Sequence, residues 1–267
     1  MNIKRILSGV LGFPLVVLLV VLGNTLVIDI GLTIIAMIAM NEYFHAVSKV
    51  CNPVKWIGYM SCLSIALIHI VPNEYLELVV TMSIPTILII LFSHIIATNM
   101  RITLKDIAYT FLGIFYVVFS IMFLAFICGM EHGKLLIWYA LFAAWGTDVF
   151  AYIVGKLIGK HKFSKISPNK TIEGCIGGTI GSLLFIIPYT FAMNYFFQTE
   201  YSYIYITIMG IILSLMGQIG DFAASSIKRH VDIKDFSDLI PGHGGILDRI
   251  DSLIFLAPYA YILFTFI

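Results

Sequence analysis

Charge is scarce in this chain. Only 12% of its 267 residues are Asp, Glu, Lys or Arg, against 60% hydrophobic residues and a mean hydropathy of +0.99. So little charge cannot coat a water-soluble body of this size, and no half of the sequence is polar enough to stand as a soluble domain. A membrane is therefore the expected solvent. Cysteine is also sparse. Cys51, Cys62, Cys128 and Cys175 are scattered without a CxxC or Cys/His spacing, so neither a zinc site nor a disulfide framework is indicated, and they read as small apolar residues. A GxxxxGK[ST] phosphate loop is missing, because Gly155 and Lys160 are wrongly spaced for one, and no repeat of fixed period is present. No nucleic-acid partner is expected. The net charge of +1 says little; the placement of the charges says more.

What is abundant is apolar sequence. Polar or Pro/Gly-bearing connections divide it into nine stretches, about 6–22, 25–47, 56–71, 78–97, 107–128, 134–155, 174–196, 202–227 and 246–267. The first follows Lys4 and Arg5 like a signal peptide, but no small-x-small cleavage site follows it, and it reads as a retained span. The second is interrupted by Asp29 and Glu42, and the third is short. Sorted into alternating sets, one group of connections holds every Lys and Arg except Lys134, while the other carries Glu74, Glu77, Glu131 and Glu200. Cytosolic loops retain Lys and Arg, so the N-terminus is placed in the cytosol and the C-terminus outside. The expected fold is all-α: a polytopic transmembrane helical bundle of about nine spans, one integral membrane domain over 1–267. Residues 1–130 are read as N-terminal helical spans, and 131–267 as catalytic helices and cytosolic loops.

Two inside connections, 156–173 and 228–246, are long and rich in Gly, Pro, Lys and Asp. Before the second, Asp221, Ser225 and Lys228 share one helical face, with Arg229 a turn beyond Ser225. Asp221 sits about 9 Å from the cytosolic end at 1.5 Å per residue, where an isolated carboxylate costs ~2–3 kcal/mol and so demands a partner. Gly242, Gly244 and Gly245 then run into the last span, a glycine-rich approach to a helix N-terminus of the kind that binds anions. Asp248 and Asp251 lie three positions apart at that helix's start, where a plain capping role is the bland alternative. Oxygen-only acidic clusters among Lys228, Arg229, Lys234 and Arg249 suit Mg²⁺ bridging phosphate oxygens. Upstream, Asp148, Tyr152, Lys156 and Gly159 form one stripe; the bland alternative is that Gly155 and Gly159 make a small-xxx-small helix contact. Ser167 and Thr171 read as helix starters, with Pro168 a candidate first helical position.

The run Ser225-x-Ile227-Lys228-Arg229, Lys234-Asp235 and Pro241-x-His243-Gly244-Gly245-x-x-Asp248-Arg249-x-Asp251 resembles the signature of the bacterial-type phosphatidate cytidylyltransferases. The segments Asp148-x-x-Ala151-Tyr152-x-x-Gly155-Lys156-x-x-Gly159-Lys160 and Ser167-Pro168-x-Lys170-Thr171-x-Glu173-Gly174 are similar to that family too. Val149 departs from it, where a small hydroxyl residue is common among relatives. The resemblance implies a metal-dependent nucleotidyltransferase of the bacterial inner membrane, with its active site facing the cytosol. It would make CDP-diacylglycerol and pyrophosphate from CTP and phosphatidic acid, with Mg²⁺ and room for a second cation. Asp221, Asp248, Asp251 and Asp148 are then the expected metal ligands. Asp221, Asp248, Lys170, His243 and Arg229 are the expected catalytic residues. Substrate binding falls to Ser225, Lys228, Lys234, Gly242, Gly244, Gly245, Arg249, Tyr152, Lys156 and Lys160. Membrane lipid is a partner in this reading, and the oligomeric state stays open, a homodimer included.

Overall fold

The computed structural model describes residue 14 and residues 16–164, 167–240, 242 and 244–267. Most of the predicted span 6–22 therefore lies outside the described residues, as do Lys4, Arg5, Lys165, Pro241 and the candidate catalytic His243.

Among the described residues the regular structure is helical and no strand is present. Helix α1 covers Thr25–Val47, and the Asn24 side chain caps it by accepting from the Val27 amide at 2.9 Å. Then come α2 (Lys55–Leu67), α3 (Asn73–Ala97) and α4 (Leu104–Gly129), the last opened by a Thr103–Asp106 capping box and carrying a π-helical segment at Ile114–Phe119. The chain continues as α5 (Gly133–Ile158), α6 (Ile172–Phe196), α7 (Tyr203–His230) and α8 (Leu247–Phe264). Six of these, α1 and α3 to α7, are long and apolar enough to cross a membrane, and the protein is a helical membrane protein. The 13 residues of α2 span about 20 Å, short of a hydrocarbon core about 30 Å thick. With 18 residues, α8 carries Asp248, Arg249 and Asp251 near its start.

Two expectations shift at this level. Helix α3 begins at Asn73 rather than near 78, because Pro72 stands at its N-cap and Glu74 suits its positive first turn. Pro168 is not a first helical position: it lies in a turn where the Lys170 amide donates to the Ser167 carbonyl at 3.1 Å. The helix start belongs to Thr171, whose hydroxyl accepts from the Gly174 amide at 3.1 Å.

The chain divides into two compact units, one made of the sequence up to Gly129 together with His230–Arg249, the other of Met130–Arg229 and Ile250–Ile267. In the first, Ala36, Ala39, Met40, Tyr43, Phe44 and Val47 put the inner face of α1 into the core, and the Tyr43 hydroxyl donates to the Tyr109 carbonyl of α4 at 2.9 Å. Both acids that interrupt the hydropathy of α1 are buried. Asp29 pairs with His69 Nδ1 at 2.7 Å; Glu42 reaches residues 237–247.

In the second unit α5 and α6 meet along a seam of small residues. A Cβ built on Gly146, Gly174 or Gly178 would come within 2.8 Å of a backbone atom of the opposite helix. Gly155 extends the seam toward Thr171, where a Cβ would lie 3.1 Å from the hydroxyl. Helix contact is thus a demonstrated job of these glycines, and it sets the height of Asp148 on α5.

Candidate active site

Within the first unit lies a glycine-rich loop held by two carboxylates. The Ile240 amide donates to the Gly244 carbonyl at 2.9 Å, closing a turn in which Gly242 and Gly244 have φ of +82° and +83°, a region that side chains rarely tolerate. Asp248, one of the expected metal ligands, turns its Oδ2 back into this loop, accepting from the amides of Phe236 at 2.8 Å and Gly245 at 3.0 Å. Its carboxylate is thereby an organiser of backbone as well as a candidate ligand. Glu42 does the same from α1, accepting from the Ser237 hydroxyl and from the amides of Ile246 and Leu247. Lys234, Gly242 and Arg249 are exposed on this segment. His230, at the end of α7, stacks on Tyr109, with Nε2 2.5 Å from the phenol oxygen.

In the second unit, Lys170 and Asp221 form an ion pair, each about a quarter exposed. The Lys170 ammonium also lies 4.4 Å from the Phe222 ring centroid, and Phe222 stacks on Phe163 at 4.7 Å. The loop before α6 is folded to deliver that lysine. Phe163 donates to the Lys170 carbonyl at 3.0 Å, Ile172 donates to that of His161 at 3.0 Å, and the Lys162 ammonium donates to that of Pro168 at 2.6 Å. Glu173 fastens the other side, taking the amides of Lys160 at 3.2 Å and His161 at 3.3 Å, with His161 Nδ1 2.6 Å from Oε1.

Asp251 is 8% exposed and lies within electrostatic reach of Asp221, Lys228 and Asp148, so three expected ligands and a basic residue share one neighbourhood. Its Oδ1 accepts from the Ser252 amide at 2.8 Å, and the Ser252 hydroxyl stands 3.5 Å from Asp148. Gly220 makes room for this approach, since a Cβ there would be 2.6 Å from the Asp251 carbonyl. Next to the acids on α5 and α7, Thr147 donates to Ser214 at 2.7 Å, and the Gln218 amide reaches Cys175, Thr179 and Ser214 at 3.1–3.3 Å. This polar ladder ties α5, α6 and α7 together one residue before Asp148 and three before Asp221.

Among the described residues no group of three or more His, Cys, Asp or Glu is drawn tightly enough to enclose a metal ion. The chemistry of the donors still fits a hard divalent cation, because Asp148 and Asp221 both lie within electrostatic reach of Asp251, as does Lys228, and carboxylate oxygens are the ligands such an ion prefers. Other expected residues are more exposed or make only a long contact with this group. Tyr152 is 68% exposed, with the Lys156 ammonium over its ring at 5.8 Å, and Arg229 is exposed at the end of α7. Ser225 is 3.5 Å from Asp221 Oδ1, a long contact.

Sequence reasoning passed over Glu42, Gln218 and the Glu173–His161 clasp as site components. For Glu42 the signal was present as a lone acid inside an apolar span, which has to find a partner.

Comparison with known proteins follows the same lines. The chain matches the model of the cytidylyltransferase family over residues 3–267. It is 35% identical over 270 residues to a phosphatidate cytidylyltransferase of Staphylococcus haemolyticus (strain JCSC1435), covering 97% of each chain. It is 35% identical over 265 residues to one of Staphylococcus aureus (strain COL) and 32% over 265 residues to one of Staphylococcus epidermidis (strain ATCC 12228 / FDA PCI 1200), again with 97% of each chain covered.

Proposed function

The chain belongs to the cytidylyltransferase family, and from that premise we propose that it is a CTP:phosphatidate cytidylyltransferase, making CDP-diacylglycerol and pyrophosphate for phospholipid synthesis. The observation that carries this reading to particular side chains is the Lys170–Asp221 pair beside Asp251, Asp148 and Lys228. A reaction between two polyanions needs cations at close quarters and carboxylates for a metal, and the lysines and acids of this neighbourhood support that reading.

A phosphate oxygen of phosphatidate attacks the α-phosphorus of CTP in line; the bond from that phosphorus to the bridging oxygen breaks, and the electron pair leaves with pyrophosphate. The nucleophile is already anionic, so no strong base is required, and catalysis consists of alignment and charge neutralisation. Lys170 and Lys228 hold phosphate oxygens, with Lys170 exchanging its carboxylate partner for substrate. The Gly242–Gly245 backbone cradles a phosphate, with Arg229, Lys234, Arg249 and His243 contributing further donors. Asp148, Asp221 and Asp251 would hold Mg²⁺, with Asp248 a further candidate, and the ion would supply neutralisation of phosphate charge when bound.

In this reading the chain crosses the bacterial inner membrane nine times with its N-terminus and its site on the cytosolic side. The support is the alternation of Lys and Arg between loops and the six helices long enough to span. Incubating the purified protein with labelled CTP, phosphatidate and Mg²⁺ tests the function. Labelled lipid and stoichiometric pyrophosphate are expected, and neither should form without phosphatidate.

A further inference from the structure

Glu42 belongs to none of the sequence motifs and lies on α1, 195 to 205 residues before the groups it binds. It is 3% exposed, and both of its carboxylate oxygens accept hydrogen bonds. Oε1 accepts from the Ser237 hydroxyl at 2.6 Å and the Ile246 amide at 3.0 Å, while Oε2 accepts from the Leu247 amide at 2.7 Å. Ile246 immediately precedes α8 and Leu247 opens it, and backbone amides at a helix start have no acceptor within their own helix. An anionic acceptor there also opposes the positive end of the helix dipole. Glu42 thus acts as the N-terminal cap of α8, supplied by another helix. Gly245 is fitted to it, since a Cβ at that position would lie 2.6 Å from Glu42 Cδ.

We propose that Glu42 is a positioning residue for the transfer reaction: by binding the amides at the start of α8 it fixes the rotation and height at which that helix presents Asp248. The chemistry rests on the cytidylyltransferase reading; the capping rests on geometry within the first unit alone. Glutamine cannot replace the carboxylate. With its oxygen toward Ile246 and Ser237, its NH₂ faces the Leu247 amide, donor against donor. Flipped, it faces the Ile246 amide in the same way. Either orientation strands a buried amide and removes the charge.

The test uses the full chain in lipid nanodiscs and compares Glu42→Gln with Tyr43→Phe, which deletes a part-buried hydrogen bond from the neighbouring residue of α1 to the Tyr109 carbonyl. Turnover per folded molecule, KM for both substrates and amide exchange at Ile246 and Leu247 are measured. Glu42→Gln should lower kcat by about tenfold or more and speed exchange at those two amides by about tenfold, while Tyr43→Phe lowers only the unfolding temperature. Normal kcat in Glu42→Gln overturns the proposal even if exchange rises, and so does a fall in kcat with exchange unchanged. If Glu42→Gln does not fold, Glu42→Asp carries the same test, keeping the charge but drawing the carboxylate back by about 1.5 Å. Should the wild-type protein release no pyrophosphate from CTP and phosphatidate, the functional reading fails. Faster exchange would then still uphold the capping role, and unchanged exchange would remove that too.

Discussion

Replacing Asp221 with Asn separates two meanings of its ion pair with Lys170. Both side chains are about three-quarters covered, 24% and 26% exposed. The pair therefore falls between exposed pairs, worth ~0–1 kcal/mol, and fully buried ones, where removing one partner costs ~3–5 kcal/mol; a cost of about 1–3 kcal/mol is expected here. Were the pair only a tie between α7 and the loop before α6, Asp221→Asn would lower the unfolding temperature and leave folded molecules turning over normally. The double variant Lys170→Met with Asp221→Asn would then regain stability, since no charge is stranded. If both groups serve the transfer, each single substitution removes charge that the transition state uses. In that case kcat falls by about 10²–10³-fold, equivalent to about 3–4 kcal/mol. The double variant then stays inactive however stable it becomes. The assay is pyrophosphate release from CTP in phosphatidate-containing nanodiscs, normalised to folded protein. A stable double variant with turnover within about threefold of wild type, under 0.7 kcal/mol in barrier, would refute the catalytic assignment.

Further predictions address the loop, the topology and the metal. Gly244→Ala places a Cβ 2.9 Å from Asp248 Oδ2 at a φ of +83°, so it should cost about 1–3 kcal/mol of stability and most of the activity, measured by thermal unfolding and turnover. Cysteine probes at Asp238 and Gln198, both exposed, should react with a membrane-impermeant maleimide from opposite sides of the membrane, and labelling of both from one side sinks the nine-span topology. Native Cys51 will give little background in that experiment, because it is buried and desolvation, with Asp106 nearby, pushes its thiol up to about 11. Chelating divalent cations should abolish turnover and Mg²⁺ restore it, and Asp251→Asn should raise the Mg²⁺ concentration needed; full activity in a chelator would remove the metal from the mechanism.

Much of the helical fabric was legible because hydropathy is the dominant signal in a membrane chain. The stretches 25–47, 107–128, 134–155 and 174–196 fall within a few residues of α1, α4, α5 and α6. Thr171 was legible as a helix start, whereas the boundary of α3 slipped because the chain already turns into helix after Pro72, ahead of the apolar run. The acids and lysines of the second unit were legible as types and spacings, because Asp221, Lys228 and Asp251 lie on regular helices whose faces follow from counting. Their pairing was not legible. That Lys170 meets Asp221 depends on how residues 161–163 bond to 170–172 through backbone groups, which every residue carries whatever its side chain. Glu42 was visible only as a blemish in a span, since a partner some 200 residues away leaves no periodicity to read.

The clasp between Glu42 and the start of α8 also has a consequence in time. Glu42 leaves the ribosome 205 residues ahead of Leu247, and at about 5–20 residues per second the interval is about 10–40 s. For that period α1 carries an acid whose native hydrogen-bond donors are not yet synthesised, in or beside a medium that penalises a bare carboxylate. The N-terminal helices therefore cannot reach their final arrangement by sequential insertion alone. Their last step waits for nearly the whole polypeptide, and a chain broken off before residue 246 is left with a marked defect in its first half, where quality-control proteases can find it.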